Sequence, residues 1–230
     1  MLLGLDTTSH WMHLALVSRH GVWTRREALL KGQGTSEVLV PVLDALLAQA
    51  GASPKELAGV AACVGPGGFA ALRVGVAFAE GLALTGLPTW GFTAFELRAR
   101  ALREAGVTGA VALVLDGQRG DAFLQIWDAT GPLGAPRCLP LAQLPEAVGA
   151  HRWFAPEAFV EKAEAALGRP PVDLAPEAVL TGLSALTREC ATREPEAPLH
   201  PLYLRATDAE VNFPQAAAHL DDAHRLGRLR

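Results

Sequence analysis

Two stretches, half a chain apart, follow one plan. Leu2-Leu3-Gly4-Leu5-Asp6-Thr7-Thr8-Ser9 is an apolar run that ends in Asp and small hydroxyl residues, and a second apolar run, His13-Leu14-Ala15-Leu16-Val17, follows at once. Halfway along, Val111-Ala112-Leu113-Val114-Leu115-Asp116-Gly117-Gln118-Arg119-Gly120 leads into Ala122-Phe123-Leu124-Gln125-Ile126-Trp127. Each reads as buried strand, Asp-bearing turn, strand. Taken singly, either is an ordinary hairpin. As a pair, each opening one half of the chain, they point to two related lobes with a cleft where the Asp turns meet. The expected division is a first lobe over 1–105, a second over 106–205 and a tail over 206–230.

Between the hairpins the pattern alternates in the α/β manner. Val38-Leu39, Val42-Leu43 and Leu46-Leu47 recur at helical spacing over Ser36–Ala50, with Gly51 as a stop and Pro41 as a late start or a bend. Ser53-Pro54-Lys55-Glu56 has the spacing of a capping box before a short helix. Gly59 to Val64 reads as a buried strand running into Gly65-Pro66-Gly67-Gly68 and a small-residue helix over Phe69–Leu84. Thr89 to Phe92 is a short strand, and Thr93-Ala94-Phe95-Glu96 caps a further helix. In the second half, Gly131 to Pro145 suggests a long connection or edge. A strand at Arg152–Ala155 and helices at Pro156–Leu167 and Pro176–Cys190 follow, and Pro201 to Arg205 closes the fold.

Composition narrows the class. With 230 residues, half of them hydrophobic, the chain can bury a substantial core. Its net charge of −4 argues against a bulk coat for nucleic acid. No apolar run approaches the roughly 18–20 residues of a membrane span, and the first residues lack a signal peptide's basic region, so a soluble, cytoplasmic protein is expected. Cys63, Cys138 and Cys190 lie far apart, which disfavours a disulfide framework or a local zinc site.

Two segments could carry chemistry. A strand feeding Gly65, Gly67 and Gly68 and then a helix start can bind phosphate through backbone N–H groups, or can simply be a tight, closely packed turn. Asp6, with Thr7 and Thr8, could hold Mg²⁺ through water and touch a phosphate, or could be turn residues and nothing more. Asp116, Arg119 and Asp121 pose the same question, with an Arg–Asp pair holding the turn as the simpler answer. His10 and His13 sit at a spacing that points to opposite faces of a strand, so no metal site is expected from them. No nucleophile elbow or H-E-x-x-H occurs in the sequence. The helices over Ser36–Ala50 and Phe69–Leu84 are apolar around much of their circumference, which suits a partner surface as well as a core.

Leu3-Gly4-Leu5-Asp6-Thr7-Thr8-Ser9, Gly65 to Gly75, Gly81-Leu82-Ala83, Leu115 to Asp121 and Pro201-Leu202-Tyr203-Leu204-Arg205 together resemble the signatures of the TsaB (YeaZ) family. The resemblance implies a two-lobed actin/Hsp70-like ATPase fold (a duplicated ribonuclease H-like unit). It also implies a non-catalytic part in forming N6-threonylcarbamoyladenosine at position 37 of ANN-decoding tRNAs. The family's transferase paralogue, TsaD, carries two metal-binding His residues where this chain reads Lys31-Gly32-Gln33-Gly34-Thr35-Ser36-Glu37-Val38. The implied partners are a TsaD-like paralogue, a TsaE-like ATPase and a second copy of the chain, with tRNA reached through the complex. No cofactor of its own is implied, only ATP and Mg²⁺ at the level of the complex. The implied partner residues are Val38, Leu39, Val42, Leu46, Arg73, Val76, Ala79 and Glu80. Pro66-Gly67-Gly68-Phe69-Ala70-Ala71 stands where the family usually has Pro-Gly-Ser-Phe-Thr-Gly, so two hydroxyls are missing. The competing expectation is an ATP-dependent kinase or acyltransferase of the same superfamily.

Overall fold

Alternation along the strands decides the layering. In the computed structural model, which describes residues 1–29 and 34–205, β1 (Leu2–Asp6) and β2 (Trp11–Val17) turn Leu3, Leu5, Met12, Leu14 and Leu16 to one face. That face is covered by α1 (Thr35–Gln49) and α2 (Phe69–Ala83), which supply Leu39, Leu43, Leu46, Leu72 and Val76. The opposite face is built of smaller residues, Ala15, Val17, Ala61 and Cys63. There the sheet meets α3 (Ala94–Glu104) and α6 (Pro176–Cys190). Gly4 permits that approach, since a Cβ on it would lie 2.1 Å from Thr187 Oγ1. Gly182 does the same between α6 and α3, where a Cβ would meet Ala101 Cα at 2.7 Å.

The first sheet has the order β3-β2-β1-β4-β5, with β3 at Val22–Ala28, β4 at Gly59–Cys63 and β5 at Thr89–Phe92. The second has the order β8-β7-β6-β9, with β6 at Val111–Gln118, β7 at Asp121–Trp127, β8 at Arg137–Pro140 and β9 at Arg152–Phe154. In each sheet the opening strand pairs antiparallel with the next and parallel with a later one, β1 with β2 and β4, β6 with β7 and β9. The echo in sequence is therefore a repeat of topology. Val111, Leu113 and Leu115 of β6 face the α3/α6 layer, while Ala112 and Val114 face α4 (Leu144–Val148) and α5 (Glu157–Leu167). Helices α3 and α6 thus form a layer shared by the two sheets.

Several elements depart from expectation. β3 was not legible, because Val-Trp-Thr-Arg-Arg-Glu-Ala is a half-exposed edge strand that needs little apolar surface. The stretch after Gly131, expected to be a long connection or an edge, supplies the edge strand β8 and runs into α4. Of the two readings of Pro41, the late start does not hold, since α1 begins upstream at Thr35 and carries Pro41 inside it. The division at 105/106 separates the sheets but not the helices, since α6 from the second half covers the first half's sheet. Residues 196–205 form an extended strap, with Glu196 N donating to Thr89 O at 2.7 Å and Leu202 N to Val64 O at 2.6 Å. The tail over 206–230 and Lys31 to Gln33 lie outside the described residues.

Candidate functional site at the meeting of the two Asp turns

The two Asp turns and the glycine segment do converge. Thr8, Ser9, Gly67 and Gly68 from the first half face Asp116, Gln118 and Phe159 from the second across a cleft of about 300 Å³. The glycine segment is closed onto the first turn, for Gly68 N donates to Thr8 O at 3.1 Å and a Cβ on Gly67 would come within 2.3 Å of that same oxygen. Gly65 has φ +108° and is buried behind Leu202, away from the cleft. Close packing, one of the two readings of this segment, is realised at Gly65 and Gly67. A side chain on Gly68 would meet open space.

Asp6 is placed otherwise than a ligand for Mg²⁺ or phosphate requires. It is fully buried, and both carboxylate oxygens are engaged from within. Oδ1 accepts from Thr8 Oγ1 at 2.6 Å and Thr8 N at 3.0 Å, and Oδ2 accepts from Arg98 Nη1 at 2.7 Å. His13 Nδ1 stands 3.5 Å from Oδ2 without a hydrogen bond. Burial by itself pushes the carboxyl's pKa up. The Arg98 charge, His13 and the Thr8 hydroxyl together outweigh burial and hold it well below the usual carboxylate range. Burial depresses the His13 pKa against the pull of Asp6, so the ring is neutral near pH 7. The result is a desolvated Asp–Arg pair, expensive to disturb and closed to an incoming cation.

The neighbouring hydroxyls are spent in the same way. Thr7 Oγ1 donates to Ala71 O at 2.8 Å and packs where a Cβ on Gly75 would come within 2.4 Å, tying the first turn to α2. Cys63 Sγ lies 3.9 Å from Thr8 Oγ1, and burial pushes its thiol well up, so it is no nucleophile. In the second turn Asp116 accepts from Gln118 N at 2.8 Å, and residues 118–120 all have positive φ. Arg205 also reaches this turn, donating to the carbonyls of Gly117 and Gln118 at 3.3 and 3.2 Å and approaching Asp121 at 3.9 Å. Among the described residues no three His, Cys, Asp or Glu side chains cluster as metal ligands.

The expected partner face needs correction. Val38, Leu39, Leu46, Val76 and Ala79 are buried in the core between α1, α2 and the sheet, so they cannot be offered to a partner. The apolar stripe of the two helices faces the chain's own sheet. Val42 is half-buried, and Glu80 accepts from Leu199 N at 2.8 Å, holding the strap. Arg73 is exposed. Its Nε donates to Tyr203 at 3.1 Å, and Tyr203 stacks on Phe69 with ring centroids 4.9 Å apart. Val40 and Leu84, the latter 91% exposed, are the large apolar side chains that α1 and α2 present outward.

One residue and one pairing of this site escaped sequence reasoning. Arg98 falls on the buried stripe of α3 with Ala94, Leu97, Ala101 and Leu102, an unusual place for a charge and the one signal that could have exposed it. Tyr203 falls in the Pro201–Arg205 signature, but its pairing with Phe69 and Arg73, remote in sequence, carries no local signal.

Comparison with known proteins follows this geometry. A family model described as TsaD, tRNA N6-adenosine threonylcarbamoyltransferase, matches residues 32–126. No curated protein sequence matches the chain. Among solved structures, YeaZ from Pseudomonas aeruginosa superposes with a TM-score of 0.68 at 23% identity, covering 88% of this chain and 99% of that one. A second P. aeruginosa protein, described as similar to the peptidase YeaZ, gives 0.67 at 24% identity over 89% of this chain and 99% of its own. The activator of 2-hydroxyisocaproyl-CoA dehydratase from Clostridium difficile, solved with bound ADPNP, gives 0.53 at 10% identity, covering 83% and 96%. These likenesses show the fold, the two-lobed actin/Hsp70-like architecture. In sequence motifs and in fold the chain is similar to YeaZ.

Proposed function

We propose that this chain is a TsaB-type accessory subunit, a non-catalytic partner of a TsaD transferase in forming N6-threonylcarbamoyladenosine at position 37 of ANN-decoding tRNAs. The observation that carries the reading is Asp6. At the end of β1, where a metal–nucleotide site would need a free carboxylate, the chain keeps one bonded to Arg98 and Thr8 and shut from solvent. A group so engaged stabilises the turn and has nothing left for chemistry. The outward side of α1 and α2, with Val40, Leu84 and the Phe69–Tyr203–Arg73 cluster, supplies the apolar and aromatic surface that a partner would cover. The matched family model and the YeaZ-like architecture support the choice of pathway.

The reading is tested by deleting the gene and measuring the modified nucleoside in tRNA hydrolysates by mass spectrometry. Deletion is expected to abolish or sharply reduce it. Complementation with the Asp6→Asn/Arg98→Met double variant is expected to restore it, because the pair serves only the fold. Restoration by wild type but not by a stably folded double variant would contradict the non-catalytic role.

A second reading, an ATP-dependent kinase or acyltransferase, is favoured by the interlobe cleft of about 300 Å³ lined by Gly67, Gly68 and Asp116. Calorimetric titration of the purified chain with Mg-ATP separates the two. Saturable heat would favour the enzyme, and a flat titration is expected.

A further inference from the structure

A second cavity, of about 290 Å³, opens between the lobes on the other side of Arg98. Its first-lobe wall is made by Trp11 and Arg26, on β2 and β3. Its second-lobe wall is mainly apolar, from Phe154, Val160, Val172 and Leu174, with Glu157 and Asp173 as its acidic members. The composition is that of a small-molecule site, a mainly apolar concavity with few, convergent polar groups.

The Arg26 guanidinium carbon lies over the Trp11 ring, 3.6 Å from its centroid, so the group is held in place before any ligand arrives. Its Nη2 is bonded at 2.5 Å to Glu157 Oε2, which reaches across the cavity from the start of α5 and is mostly exposed. Its Nε is buried and has no partner. A guanidinium fork with one N–H taken by a replaceable surface carboxylate and the other unused is arranged for bidentate capture of an oxyanion. Leaving that N–H unpaired is costly, and a ligand carboxylate would remove the cost.

We infer that this cavity binds a small organic carboxylate with a compact apolar body, the carboxylate spanning Arg26 and displacing Glu157, the body lying against Phe154, Val160 and Val172. The site adjoins the cleft between the Asp turns, sharing Ser9, Arg98 and Pro156 with it, and does not depend on the accessory role proposed above.

Benzoate is a suitable probe, with benzamide as its uncharged counterpart and inorganic phosphate as an anion without an apolar body. Binding to the whole chain is followed through the Trp11 indole and Arg26 Nε–H resonances in ¹H–¹⁵N spectra. Benzoate is expected to shift both saturably, and benzamide and phosphate to leave them in place. Arg26→Gln should weaken benzoate about ten- to a hundred-fold, the range for a lost hydrogen bond to a charged group. Glu157→Gln should strengthen it about two- to five-fold by removing an exposed competitor. These variants move affinity in opposite directions, which a general loss of folding cannot imitate. Equal response to benzamide or phosphate, no saturable shift, or weaker binding by a folded Glu157→Gln protein would overturn the assignment.

Discussion

Replacing Arg98 by Met would leave the Asp6 carboxylate buried without its counter-charge. The two side chains are 3% and 0% exposed and meet at 2.7 Å, so neither can turn to water. Removing one member of such a pair costs about 3–5 kcal/mol, a large part of the roughly 5–15 kcal/mol that stabilises a protein. For a chain of this size that corresponds to a fall in Tm of roughly 6–20 °C. The pH dependence gives a sharper signature. In the wild type, burial raises the Asp6 pKa but Arg98, His13 and Thr8 together hold it below its unfolded value. Its contribution is therefore complete above about pH 4 and is lost as pH falls further. In Arg98→Met burial acts without the cation, the folded pKa rises above the unfolded one, and stability is lost as pH rises from about 4. The gap between the two proteins should thus widen from pH 4 to pH 7. Thermal and urea unfolding followed by circular dichroism at both pH values would measure it. Asp6→Asn/Arg98→Met, which keeps an acceptor for Thr8 N, should recover most of the loss. A variant within about 1 kcal/mol of wild type at pH 7, or a gap indifferent to pH, would refute the reasoning.

Three further outcomes are expected. Gly67→Ala drives a Cβ to 2.3 Å from Thr8 O and should destabilise by about 1–3 kcal/mol, whereas Gly68→Ser enters open space and should stay within about 0.5 kcal/mol in urea unfolding. The His13 ring, its pKa lowered by burial against the pull of Asp6, should titrate with an NMR midpoint below the 6.5 of a free imidazole. The stability of keeping it neutral is therefore present above that value and lost as pH falls. Leu84→Asp, at a side chain already 91% exposed, should leave the unfolding curve unchanged while weakening association with a partner in light scattering.

What could be read from residues alone follows from where the information lies. The duplicated topology was legible because β1 and β6 carry unbroken apolar runs that end in Asp, and a strand buried on both faces must look like that. The Thr93–Glu96 capping box was legible because it is local, and it forms, with Glu96 N donating to Thr93 Oγ1 at 3.0 Å. The Asp6–Arg98 pair was not, since it joins residues 92 positions apart through a layer of packing that no periodicity encodes. Five of the expected partner residues are buried for an instructive reason, while Arg73 stays on the outward face. Val38, Leu39 and Leu46 recur at helical spacing because they face the chain's own sheet, and the same pattern cannot mark a second surface. A docking face had to be found from what the fold leaves outside, Val40, Leu84 and the Phe69–Tyr203 stack. That stack joins a helix start to a strap 134 residues later, beyond the reach of any local motif.

The central claim is that the chain works by holding a partner. It is tested most directly by size-exclusion chromatography with light scattering, on the chain alone and mixed with the TsaD paralogue of the same organism. The account predicts a self-associated species that converts to a one-to-one complex, with Leu84→Asp weakening the complex while the chain stays folded. If the two proteins elute unchanged, even with ATP and the TsaE-like ATPase present, the accessory role is contradicted.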